Sequence, residues 1–226
     1  MPDFRRGAPR RSDWTASALR ALVVSGALAA LLVGWSRLQQ PEATLHGTPL
    51  RPMRAPAFGG LSTTHGQPWE WKAVRGKAVL VFFGYTHCPD VCPLTLTALD
   101  RAMPGLGALR HDVKVVFVSL DPERDTPQVL QHYVDAFFPG IVGLRGPLSS
   151  VSRAARQWGV SWRRVDTQDG GYWIDHTAAV TLVGPNGHLR ARYGYGQLTN
   201  PSWLDADLRA VLERKSTGPD RPRRRP

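Results

Sequence analysis

The sequence predicts an α/β domain built on a mixed central sheet, and three observations carry that expectation. Two apolar runs, KAVLVFFGY at Lys77–Tyr85 and VKVVFVSL at Val113–Leu120, have the β-branched and aromatic character of strands buried on both faces. Each is followed by a segment of helical spacing, and strand–helix alternation is the pattern that builds parallel sheet. Further on the period changes to two on either side of Pro185-Asn186-Gly187, which reads as a β-hairpin.

In chain order, the first strand runs into Thr86-His87-Cys88-Pro89-Asp90-Val91-Cys92-Pro93 and then a helix expected from Leu94 to about Leu106. After the second strand, Asp121-Pro122-Glu123-Arg124-Asp125-Thr126-Pro127 makes a loop. Thr126 is placed as the N-cap of the next helix and Pro127 at its first position, where the missing N–H costs nothing. That helix carries Val129, Leu130, Tyr133, Phe137 and Phe138 at helical spacing. A short strand near Ile141–Leu144 and a helix from Ser149 to Trp158 follow. The hairpin pairs Ala179–Val183 with Leu189–Tyr193, and a last helix runs from Pro201 to about Arg214. No internal repeat is visible.

The 226 residues accommodate one such domain, with 42% hydrophobic and 21% charged residues giving a core of ordinary size. Of the net charge of +11, most resides at the ends and +3 in residues 41–212. Residues 1–40 carry six Arg against two Asp, and 213–226 carry six Lys/Arg against two acids, so the folded part is nearly balanced and no nucleic-acid partner is expected. Ala21–Ser36, ALVVSGALAALLVGWS, is a 16-residue uncharged run between Arg20 and Arg37. A helix crosses the hydrocarbon core with about 20 apolar residues, a length reached by extending back to Trp14 if Arg20 snorkels to the interface. Arg5, Arg6, Arg10 and Arg11 place the N-terminus in the cytoplasm. The run ends in Arg37-Leu38-Gln39-Gln40 without a small-x-small cleavage site, which favours an uncleaved anchor over a signal peptide. With no long Arg/Ser-rich presequence ahead of it, the expected setting is a bacterial inner membrane with the domain on the periplasmic side. The expected organisation is thus a basic cytoplasmic segment 1–20, a transmembrane helix 21–36, a Pro-rich linker 37–56, the α/β domain 57–212 and a basic, disordered tail 213–226.

The two cysteines, Cys88 and Cys92, are too few and too close for a disulfide framework. At a strand-to-helix junction, positions i and i+4 share one face of the first helical turn, where free amides and the helix dipole favour thiolate, above all at Cys88. Paired thiolates suit Cu(I), and the same spacing is compatible with reversible disulfide chemistry or with a structural disulfide. Spacing alone leaves these open. The position at the carboxyl end of a central strand, where open α/β sheets place their sites, points to function.

GYTHCPDVCP, then SLDPERDTP, then DHTAAVTLVGPNG together resemble the Sco/SenC family of membrane-anchored, thioredoxin-fold copper proteins, over roughly residues 55–212 and in the family's order. The resemblance implies a thioredoxin-like fold with a β-hairpin insertion, and a site for Cu(I) or Cu(II) made by Cys88, Cys92 and His176. It also implies a role in assembling the binuclear copper site of cytochrome c oxidase. His176 lies 84 residues beyond Cys92, and only the resemblance nominates it. Asp175 is expected to orient its imidazole, and Asp90 to tune the thiolates or meet a partner. His87 is the weaker candidate for a fourth ligand; His46, His65, His111, His132 and His188 lack ligand spacing and are expected at the surface. Asp121, Arg124 and Asp125 are expected to lock their loop. Trp158, Trp162 and Trp173 are candidates for a docking face. Where the family carries an aromatic or bulky residue after its Asp-His motif, this chain has Val180-Thr181, so packing beneath His176 is expected to differ.

Three roles fit these residues. A copper chaperone would use all three ligands and deliver to the copper-binding subunit of the oxidase, with other copper chaperones or thioredoxin-like reductants as further partners. A thiol-disulfide reductase would use Cys88 and Cys92 as a catalytic redox pair. A copper or redox sensor would deliver nothing. The three methionines are scattered, which weighs against a methionine-based carrier.

Overall fold

A computed structural model describes residues 24–32 and 44–213. Backbone contacts separate Met1–Thr44 from Leu45–Pro226, and each unit stands by itself. In the first, residues 24–32 form a solvent-exposed helix, α1. Among the described residues no helix is long and apolar enough to cross a membrane. The rest of the expected anchor, together with 1–20 and 214–226, lies outside the described residues.

The second unit has a seven-stranded sheet in the order β1-β9-β8-β3-β4-β5-β2 and a separate two-stranded ribbon, β6-β7. β3 (Ala78–Gly84) is buried along its whole length because it lies mid-sheet, parallel to β4 (Val113–Ser119) on one side and antiparallel to β8 (Ala179–Val183) on the other. β4 runs parallel to β5 (Val142–Arg145), and the short β2 (Ser62–Thr63) closes that edge in antiparallel sense. On the far side β8 forms the expected hairpin with β9 (Leu189–Gly194), turned at Gly187 with φ 78°, a conformation that a side chain would strain.

α2 (Val91–Ala102) begins one turn earlier than expected, which leaves Cys88 in the turn ahead of the helix and Cys92 inside it. Pro93 is tolerated because first-turn N–H groups have no intrahelical partner. α2 buries Cys92, Leu96 and Leu99 and packs against α6 (Pro201–Glu213), which also lies on β3. Thr126 caps α3 (Pro127–Asp135) through the Val129 N–H at 3.2 Å, as anticipated. The buried stripe of α3 is Leu130 and Val134, whereas Val129 is 40% exposed and Phe137 and Phe138 lie beyond the helix end. α4 (Leu148–Gln157) leads to Trp158, which is stacked in the core on Phe58 at 5.0 Å and is not available for docking. A short turn of helix, α5 (Tyr195–Leu198), precedes α6.

Two findings depart from the sequence expectation. Part of the expected linker 37–56 belongs to the folded unit: Leu45 packs on the core, and β1 (Thr48–Pro49) pairs with Arg192 and Ala191 at the edge of β9. The buried Asp207 explains why, since it accepts hydrogen bonds from the His46 and Gly47 N–H groups (2.9–3.1 Å), from Tyr193 Oη (2.7 Å) and from His46 Nδ1 (2.8 Å). A buried carboxylate requires such donors, so His46, exposed as expected, also ties this segment to the folded unit. The second departure is the ribbon of β6 (Trp162–Asp166) and β7 (Tyr172–His176), a hairpin additional to β8–β9 and standing outside the main sheet.

Candidate metal centre

β3 delivers the chain to the cysteine turn at the carboxyl end of the sheet. Gly84 ends the strand and must lack a side chain, because a Cβ there would lie 2.8 Å from Cys92 Sγ and 3.0 Å from the Phe117 ring. Gly84→Ala is therefore expected to push Cys92 aside and cost about 1–3 kcal/mol in urea-induced unfolding, the usual range for overpacking. A wild-type unfolding midpoint in this variant would show that the site is looser than its geometry indicates. Beyond Gly84, the Cys88 N–H donates to Tyr85 O at 3.3 Å, closing the turn.

Sheet pairing brings in the histidine. Val180 of β8 is level with Phe82 of β3 in antiparallel register. His176 ends β7 just before β8 begins, so this pairing brings it to the carboxyl end of β3, beside the cysteines. Cys92 Sγ lies 3.5 Å from His176 Nε2, and ligand atoms of Cys88, Cys92 and His176 all fall within 4.8 Å of one another. The imidazole rests against Phe82 and Tyr85, at ring separations of 6.3 and 5.9 Å. The aromatic bed thus comes from β3 and its turn, while Val180 and Thr181 are buried in β8.

The orienting partner of the imidazole is not Asp175. That carboxylate is exposed and pairs with Arg163 at 3.0 Å, because alternation along β7 turns it away from the side on which His176 meets Cys92. His176 Nδ1 instead meets the Thr177 carbonyl at 3.2 Å. The Thr177 carbonyl therefore orients the ring and leaves Nε2 facing the sulfurs. Asp90 is likewise exposed and makes no side-chain cap bond; its backbone N–H, not its carboxylate, supports Cys88.

Cys92 is fully buried, and Cys88 is 8% exposed at the mouth of the site. The S–H of Cys92 donates to Cys88, and this is the main reason that the Cys88 thiol is lowered to about 3, against the opposing effect of burial and with help from His176 and the Asp90 and Cys92 amides. Cys92 is pushed up, by that same donation and by burial. The two sulfurs therefore share one proton near neutrality: an outer thiolate and an inner thiol. Tyr85 and Tyr133 lie close enough that burial, reinforced by the negative sulfurs, pushes both phenols up.

Chemically, the arrangement offers two soft sulfurs and one imidazole nitrogen, half enclosed, a donor set that can hold a soft metal ion. His87 is not part of it. Its ring is exposed and hydrogen-bonded to Thr86 Oγ1 at 3.0 Å. It falls in a second grouping with Asp121 and Asp125, whose carboxylates are already engaged by Arg124, Tyr172, Ser119 and Thr86. The ribbon β6-β7 escaped sequence reading although Asp169-Gly170-Gly171 is a turn signal. Arg163, Arg164, Asp166 and Asp175 break the apolar alternation that marks a strand. Trp162 is half-buried on this ribbon, and Trp173 is 48% exposed.

The SCO1/SenC family model matches residues 55–213. A putative copper-binding protein of Stutzerimonas stutzeri is 35% identical, over 65% of this chain and 69% of that protein. The mitochondrial SCO1 homolog of Homo sapiens is 33% identical over 84% of this chain, which spans only 64% of that protein. Among solved structures, Bradyrhizobium japonicum ScoI with copper bound matches with a TM-score of 0.61 and 33% identity, over 71% of this chain and 98% of that one. Apo Sco1 from Thermus thermophilus matches with a TM-score of 0.65 and 37% identity, over 74% and 97%.

Proposed function

The chain belongs to the SCO1/SenC family, with the thioredoxin-like mixed sheet of its solved relatives, and on that premise we propose that it is a copper carrier. Cys88, Cys92 and His176 hold one copper ion and pass it by ligand exchange to the copper-binding subunit of cytochrome c oxidase. The observation that carries this reading is the convergence of two sulfurs and an imidazole nitrogen within 4.8 Å across 84 residues of chain. Relatives described as copper-binding, or solved with copper bound, support the identity of the cargo.

Loading Cu(I) onto both sulfurs expels the proton that Cys92 shares with Cys88. A three-donor site leaves room for an incoming thiolate to join the ion before any ligand departs. Cys88, at the mouth, exchanges first; the buried Cys92 lets go last and recovers a proton. The uncharged run 21–36, with arginines ahead of it, supports a membrane anchor that keeps the domain on the extracytoplasmic side, beside a membrane-bound recipient.

One observation favours a second reading. An outer thiolate beside an inner thiol is also the arrangement of a dithiol reductase: Cys88 attacks an acceptor disulfide, Cys92 loses its proton and resolves the mixed disulfide, and two electrons pass to the acceptor. Mixing the Cu(I)-loaded full-length chain in detergent with a metal-free oxidase copper domain separates the two. Copper moving to the reduced acceptor, with no change in thiol count, is the expected result. Failure to retain Cu(I), with stoichiometric reduction of the oxidised acceptor, would replace the carrier by the reductase.

A further inference from the structure

Both ligand-bearing segments of the site are fastened to one short loop that supplies no ligand itself. On one side, the fully buried Asp125 accepts from Thr86 Oγ1 at 2.6 Å and from the Thr86 N–H at 3.3 Å, two residues before Cys88. Ser119 Oγ, at the end of β4, donates to the other oxygen of Asp125 at 2.5 Å. On the other side, Asp121 accepts from Tyr172 Oη at 2.9 Å and from Arg124 Nε at 2.5 Å. Arg124 Nη1 donates to the Tyr172 carbonyl at 3.1 Å, at the start of the strand that ends in His176.

The Tyr172 ring is held between two guanidinium groups, with Arg124 and Arg164 each 3.6 Å from its centroid. The loop is in turn pinned from β5, where Arg145 donates to Asp125 O at 2.9 Å and to Pro122 O at 3.1 Å. Stacked and fork-bonded arginines of this kind fix orientation as well as distance, and lysine does not reproduce them.

The ribbon β6-β7 lies outside the main sheet, so sheet pairing cannot hold it in place. Its base is tied by the Thr177 N–H to Ser161 O at 2.9 Å; its body is held by Ile174 in the core and, at the Tyr172 end, by the Asp121–Arg124–Tyr172 contacts. We propose that the loop 121–127 is a brace that sets the distance between the cysteine pair and His176, with Arg124 and Tyr172 as positioning residues for the histidine and Asp125 for the cysteine turn. This rests on His176 being a copper ligand. It extends that reading by giving a segment without ligands control over how firmly the third ligand engages, and hence over how readily the ion is released.

Arg124→Lys keeps the charge and loses the fork and the stack; Tyr172→Phe keeps the ring and loses the bond to Asp121. Each is measured in the full-length chain for Cu(I) affinity by chelator competition, alone and combined with His176→Ala, with thermal midpoints alongside. The expected losses are about tenfold for Arg124→Lys, the lower end of the range for partners that orient a metal ligand, and about threefold, below that range, for Tyr172→Phe, which removes one bond of several. Both losses should vanish in the His176→Ala background, because the brace acts through that imidazole. The Cu(II)–thiolate absorption of Arg124→Lys should also move toward that of His176→Ala, a change that mere destabilisation does not produce. Penalties that persist at full size without His176, or that are absent from both single variants, overturn the brace while leaving the ligand assignment standing. A His176→Ala protein with unchanged affinity overturns the ligand assignment and the brace built on it.

Discussion

Cys92→Ala is expected to abolish retention of Cu(I) against a competing chelator. The loss should exceed the roughly 100-fold that marks the upper range for partners that merely orient a ligand. Cys92 is the fully buried donor, in contact with His176 Nε2 at 3.5 Å, and its loss leaves Cys88 as the site's single sulfur, since the chain has only two cysteines. The same substitution removes the S–H that lowers Cys88. The sign follows directly: without that donor the Cys88 thiol rises toward its ordinary value, its thiolate fraction near pH 6 falls, and its alkylation there slows. Alkylation of Cys88 at an unchanged rate at pH 6, or near-normal copper retention, would mean that the two sulfurs do not act as the coupled pair their geometry describes.

His176→Ala carries the second large effect, and it separates carrier from reductase. Cu(I) affinity should fall on the order of 100-fold, as the site drops from three donors to two. Exchange of the cysteine pair with a small disulfide should change by no more than about twofold, because attack depends on the outer thiolate and its access. The main cause of the low Cys88 value is Cys92; the hydrogen bond from His176 is a lesser one. Affinity and exchange rate falling together would point to collapse of the pocket and not to removal of one ligand. A variant that still passes copper to the acceptor at the wild-type rate would exclude His176 from delivery.

Much of the frame was legible in the chain. The runs at Lys77–Tyr85 and Val113–Leu120 became β3 and β4, because a strand flanked by strands and covered on both faces has to be apolar throughout. Thr126-Pro127 opened α3, and Pro185-Asn186-Gly187 turned the β8–β9 hairpin, since capping and turn chemistry are properties of a few adjacent residues. The cysteine pair announced itself for the same reason. Less legible was the ribbon that carries His176, whose strands are held largely by Arg–Asp pairs and by Tyr172 between two arginines, with Ile174 as its buried apolar contact. The edge strand β1 was hidden inside a proline-rich stretch that reads as linker; it is held by Asp207, 160 residues away along the chain.

By itself, then, the sequence determined what local chemistry can encode: strand and helix identity, the cap, the hairpin turn, and a soft-metal or redox turn at the end of a central strand. Only the tertiary structure decided which histidine faces that turn, which carbonyl orients its ring, and which sulfur lies at the mouth. It also transferred the orienting role from Asp175 to Thr177. Each of these depends on sheet order and on the face to which a strand turns a given residue, and a step of one residue along β7 exchanges a group in the site for a group in solvent. No spacing rule reaches across the 84 residues between Cys92 and His176, because that distance is closed by antiparallel pairing of β8 with β3 and by a loop bonded to both segments.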